Sequence, residues 1–194
     1  MTAAVETSLP LYRRVLGGDF DRLPPEVRRL HDHPGRLCAA GRCRIERGGH
    51  PLARVIAGLF GFPPGGEDVA VRVCFSTARG VETWDRDFGG HRLRSRQGGL
   101  PGQPDLLYES FGPSRFTIRP RATAEGLDLQ LCGVVLLGLP LPRPFWPEIR
   151  GRERVETGRF TFDVAIALPL IGLLIAYSGF LLPEAGTGDK GRAA

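Results

Sequence analysis

With 194 residues, 42% of them hydrophobic and 24% charged, the chain has enough apolar surface for one core, which excludes a disordered polymer. Its net charge of +5 would suit a polyanionic partner, but acids and bases interleave, as in Arg150-Gly-Arg-Glu-Arg-Val-Glu156, and no recognition motif accompanies them, so nucleic-acid binding is set aside. Four cysteines at 38, 43, 74 and 132 show no paired spacing and the first residues form no basic-then-apolar leader, so reduced thiols and a cytoplasmic location are expected.

Two short helical patterns come first. Leu11, Tyr12, Val15 and Leu16 recur at helical spacing before Gly17-Gly18, and Leu23-Pro24-Pro25 opens a second helix that runs through Val27 and Leu30 to His31. A third helix is predicted from Pro51 to Phe62, where Leu52, Val55, Ile56, Leu59 and Phe60 share one side that must face a sheet. From residue 68 the period becomes two: Val69, Val71, Val73 and Phe75 alternate with Ala70, Arg72, Cys74 and Ser76. Further strands follow over 81–88, 91–97, 105–111, 115–122, 127–137, 149–156, 159–168 and 173–182, and their short connections suit antiparallel neighbours. The expected fold is mainly β (α+β): a strongly curved antiparallel sheet or half-barrel of about eight to nine strands, with short N-terminal helices and one helix packed on the concave face. It spans residues 9–183 as one domain, with disordered tails over 1–8 and 184–194.

The uncharged run Val164 to Pro183 approaches the length of a membrane span. Phe160, Phe162, Val164, Ile166 and Leu168 keep strict alternation into it, and Pro169 and Gly172 break it, so two buried strands are expected and no span. Gly186-Thr-Gly-Asp-Lys-Gly191 spells a dinucleotide fingerprint, but only three residues remain to build the helix that the fingerprint needs, and no cofactor is expected. His31, His33, Cys38 and Cys43 are metal-capable, yet their spacing fits no closed site, so no metal is expected.

The strands hold the more informative group. Trp84, Arg86, Glu109, Arg119, Glu153 and Asp163 each sit inside a β pattern, and those that point into a curved sheet must pair with one another or with a ligand, because an isolated buried charge is too costly to persist.

Several ordered motifs add a resemblance. Leu11-Tyr12 with Val15-Leu16-Gly17, Phe20, Leu23-Pro24 and His31; Trp84-Asp-Arg86-Asp-Phe88-Gly-Gly90 with Ser95; Glu109-Ser-Phe111-Gly-Pro113; Gly138-Leu-Pro140-Leu-Pro142; and Phe162-Asp-Val164 with Leu168-Pro169, Gly172, Tyr177 and Gly179 together resemble the family called domain of unknown function 4166 over about residues 10–183. The resemblance implies one fold unit and no particular chemistry. It also implies an oxidoreductase as a partner, since relatives occur fused to NADP-binding domains of the saccharopine-dehydrogenase or short-chain type. Ile166 and Ala176 depart from its pattern, standing where relatives more often carry polar residues.

Three functions remain open at this point. The leading expectation is a binding module, with Trp84, Arg86, Glu109 and Arg119 as the polar contacts of a small apolar or amphipathic, acidic-headed ligand. The alternatives are an enzyme or oxidoreductase accessory domain using Glu109 or Glu153 as general acid or base, and a protein-interaction domain.

Overall fold

The computed structural model describes residues 9–33 and 35–184, so the expected tails over 1–8 and 185–194, including the Gly186–Gly191 motif, lie outside the described residues. The chain begins with helix α1 (Leu11–Leu16), a 3-10 segment (Gly17–Arg22) and helix α2 (Pro25–His31). Strand β1 (Arg36–Arg47) and helix α3 (Pro51–Leu59) follow. A long meander then runs through β2 (Gly66–Ala78), β3 (Val81–Phe88), β4 (His91–Leu100), β5 (Gln103–Phe111), β6 (Ser114–Thr123) and β7 (Gly126–Leu136). The two-residue β8 (Leu139–Pro140), a 3-10 turn (Arg143–Phe145), β9 (Glu148–Glu156), β10 (Arg159–Leu168) and β11 (Gly172–Pro183) complete it.

The sheet closes. The order β6-β5-β4-β3-β2-β1-β11-β10-β9-β7 is joined end to end by a β6–β7 pairing, giving a ten-stranded antiparallel barrel with β8 appended to β7. This corrects the expected half-barrel of eight to nine strands. The strand absent from that expectation is β1, whose inward row Leu37, Ala39, Gly41, Cys43 and Ile45 is mostly small and gives little contrast with its outward row. Because β1 pairs with both β2 and β11, it is also what closes the wall.

Three further features differ from expectation. The long aliphatic side of α3 does not face the sheet: Leu52, Val55 and Leu59 are exposed, and the helix buries only Ala53 and Ala57, small residues that allow close approach to β11. The concave interior is taken instead by the N-terminal segment, where Leu11, Tyr12, Phe20, Leu23, Val27 and Leu30 are all buried and fill one end of the barrel. Cys38 and Cys74 were expected as reduced thiols, but they lie opposite each other in the β1–β2 register and form a disulfide on the outer face. Glu184, expected in a tail, donates its amide to Cys38 O and pairs with Arg72 at 2.7 Å.

The uncharged run is the β10–β11 hairpin, with Leu168 opposite Gly172 across its turn. Among the described residues no helix is long and apolar enough to cross a membrane. Outward strand positions carry exposed ion pairs such as Arg42–Asp68, Arg94–Asp85 and Arg150–Asp163, the reverse of the apolar band on a lipid-facing barrel.

Gly126 shows how tightly the wall is drawn near its seam. It starts β7 at φ 151°, opposite Arg154 of β9, and a Cβ there would sit 1.9 Å from the backbone oxygen of Glu153. Backbone on the facing strand cannot move aside cheaply, so Gly126→Ala is expected to cost about 1–3 kcal/mol. Thermal unfolding should show it as a drop of about 3–10 °C.

Candidate functional site

The two ends of the barrel differ. At the plugged end, where β1 starts and β11 finishes, α1 packs toward β4, β5 and β6, α2 packs toward β9 and β10, and Arg14 donates to Gly80 O at 3.2 Å. The other end is open between β7 and β9. Only Gly126–Leu129 of β7 pair with Gly151–Arg154 of β9; beyond that β7 turns to β8, and the inward residues Leu131, Ile149, Val164 and Ile166 are partly exposed. Helix α3 and the turn after it overhang this end, held by Arg47 donating to Phe62 O at 2.9 Å and by His91 Nε2 at 2.7 Å from Gly61 O.

Between plug and mouth lies a cavity of about 150 Å³ with two unlike walls. Phe116, Ile118, Leu129, Ile149, Phe162 and Val164 make an apolar wall along β6, β7, β9 and β10. The opposite wall and the floor set a few polar side chains among apolar ones such as Val71, Val73 and Phe75. On β3, period two sends Glu82, Trp84, Arg86 and Phe88 inward together. Arg86 donates to Ser95 Oγ at 2.8 Å and to Glu109 Oε1 at 3.4 Å, and its guanidinium lies 4.7 Å from the Trp84 ring centroid. Trp84 Nε1 donates to Glu82 Oε1 at 2.6 Å, and Tyr12 donates to Gln97 Oε1 at 3.0 Å.

The floor carries a dyad. His31 Nε2 lies 2.6 Å from Glu153 Oε2, both side chains buried, with the Tyr12 ring tilted against the imidazole at 4.0 Å between centroids. Burial by itself pulls the His31 pKa down, but the charge of Glu153 and its hydrogen bond, with Glu82 behind them, outweigh it and hold His31 above its ordinary value. Tyr12 is pushed well up by burial first and then by Glu153, Glu82 and Glu109. His33 is lowered, chiefly by burial, although its Nε2 stands 3.9 Å from Glu82 Oε2.

A model of the family described as Domain of unknown function (DUF4166) matches residues 23–181. The chain belongs to that family. The match takes in both cavity walls and the His31–Glu153 dyad, while Tyr12 and the rest of α1 precede it. No curated protein matches the chain. Among solved structures, the crystal structure of Rv2717c from M. tuberculosis is similar at 13% identity and a TM-score of 0.43, covering 84% of this chain and 99% of that one.

In this DUF4166 barrel, Trp84, Arg86, Glu109 and Glu153 come together around one cavity. Arg119 does not. Phe116 and Ile118 set the inward parity of β6, so Arg119 points outward and pairs with Asp105 at 2.9 Å, which removes it from the ligand contacts. Asp163 likewise faces out, to Arg150 at 3.0 Å. The metal-capable quartet disperses: His31 goes to Glu153, His33 to Gly35 O, Cys38 to Cys74, and Cys43 is buried alone with its thiol pushed up to about 11 by burial. Among the described residues no three His, Cys, Asp or Glu side chains gather to hold a metal ion.

Proposed function

We propose that the barrel is a binding module for a small amphipathic molecule with an anionic head. The reading rests on one observation, the pairing of an apolar wall with the inward Arg86 guanidinium. Arg86 is held by Ser95, Glu109 and the Trp84 face, and two donors on a planar guanidinium match a carboxylate or phosphate edge. A volume of about 150 Å³ suits a ring or a short alkyl chain, with any longer part leaving by the mouth.

Octanoate and octanol, matched in chain and different in head, test it by calorimetry. Octanoate is expected to bind the parent about ten- to a hundredfold more tightly than octanol, and Arg86→Met to erase that preference. No binding of either probe, or a preference unchanged in Arg86→Met, counts against the proposal.

A second reading is favoured by the dyad on the cavity floor. His31 beside Glu153, with Tyr12 adjacent, has the composition of an acid–base pair, and Glu109 is the other inward carboxylate. Both readings place the ligand in the same cavity, and only turnover abolished in a folded Glu153→Gln variant supports the second. An oxidoreductase partner stays a proposal of the family resemblance, separable by pull-down.

A further inference from the structure

Nine large hydrophobic side chains are exposed among the described residues, and seven of them stand at the open end of the barrel. Leu52, Val55 and Leu59 come from α3, Leu137, Leu139 and Phe145 from the arm between β7 and β9, and Leu170 from the β10–β11 turn. Three segments distant in sequence thus ring one opening. Leu59 is 81% exposed and Phe145 63%, so these are not the edges of a core. Isolated exposed leucines need no explanation, but a contiguous apolar rim on one end of a molecule marks something that it meets.

Charge says what that is. The connections at this end (48–65, 89–90, 112–113, 137–147 and 169–171) carry two arginines, Arg54 and Arg143, and no carboxylate. Carboxylates nearest to them sit back on strand ends: Glu67 opposite Arg44 at 3.2 Å, Asp87 opposite Arg92 at 3.6 Å, and Glu46 and Glu148. The plugged end mixes both signs, with Asp19, Asp21, Glu26 and Asp32 set among Arg13, Arg22 and Arg28 on and around its helices. A folded protein partner would have to be apolar and free of its own cations over the whole rim. An anionic lipid surface offers both properties at once, an acyl boundary for the leucines and phosphates for the arginines. Trp146 next to Phe145, with Arg143 stacked 5.6 Å from its ring, adds the aromatic type that settles at headgroup depth.

We propose that the open end docks on anionic membranes, with α3, the 137–146 arm and the Leu170 turn entering the headgroup region. This orientation points the mouth of the cavity into the leaflet and the plug away from it. Docking does not depend on what the cavity holds, so it can fail with the octanoate preference intact and can hold without it.

Flotation with vesicles of phosphatidylcholine alone, and with a third of it replaced by phosphatidylglycerol, tests the proposal on the full chain. The parent is expected to float with the anionic vesicles and to be released by salt. Arg54→Gln with Arg143→Gln should lower partitioning about thirtyfold. Leu59→Asp with Phe145→Asp should lower it about a hundredfold, and both positions are exposed enough that circular dichroism should stay unchanged. Three results overturn the proposal: no flotation of the parent with either vesicle, rim variants that float as the parent does, or a dimer in sedimentation that the rim variants dissolve.

Discussion

Glu153→Ala is expected to destabilise the chain by about 3–5 kcal/mol, which is roughly 10 °C or more in thermal unfolding. The cost does not come from the contact alone. His31 is 1% exposed and its Nδ1 already lacks a partner among the described residues, so removing Glu153 leaves a buried imidazole with neither ring nitrogen engaged. The charge carried by the pair gives a second, sharper signature. His31 has its pKa raised in the fold, so it binds its proton more tightly folded than unfolded. Its contribution is therefore fully present below the unfolded value, about 6.5, and is lost as pH rises through the folded one. The stability difference between parent and Glu153→Gln, from urea midpoints between pH 5.5 and 9, should be largest at the acid end and shrink upward. His33, lowered chiefly by burial, works in the opposite sense in both proteins. A difference that stays flat with pH would mean that His31 is uncharged in the folded chain.

Local periodicity made much of this molecule readable, and long-range pairing made the rest unreadable. From β2 to β11 the alternation of residue types places strand after strand, most plainly where a large apolar inward row such as Val71, Val73 and Phe75 faces away from a polar outward one. β1 escapes the same rule because Ala39 and Gly41 face inward, and without it the closing pairs β1–β11 cannot be inferred. Helix α3 misleads in the other direction. Its apolar stripe is a true helical pattern, but it belongs to the rim and not to the core. Within the site, Trp84 and Arg86 are legible from one strand, and Glu82 could have been added by counting back two residues. The partnership of His31 with Glu153 spans 122 residues and has no local signal at all. The direction of Arg119 follows from parity alone: with Phe116 and Ile118 inward, it points out to Asp105.

The same strand supplies the other large effect. Trp84 presents its edge to Phe75 at 4.7 Å, carries Arg86 on its face at 4.7 Å, and donates to Glu82 at 2.6 Å. Glu82 is wholly buried, and its second oxygen has no hydrogen-bond partner among the described residues, His33 Nε2 standing off at 3.9 Å. Truncation to alanine would therefore both open a cavity, at about 3–5 kcal/mol, and orphan a buried carboxyl group, at about 1.5–3 kcal/mol more. A sum of that size approaches the whole stability of an ordinary domain, so Trp84→Ala is expected not to accumulate as folded protein. Trp84→Phe keeps one ring in place while deleting the donor and part of the indole's volume, so it carries the second cost with a reduced share of the first. Glu82→Leu added to Trp84→Phe then removes the orphaned group, and replacing both partners with apolar side chains should return most of the lost stability. Urea unfolding of the two single variants and the double gives the coupling directly. If the double variant is no more stable than Trp84→Phe, Glu82 is satisfied by something other than the indole, and the floor of the cavity is held in a different way.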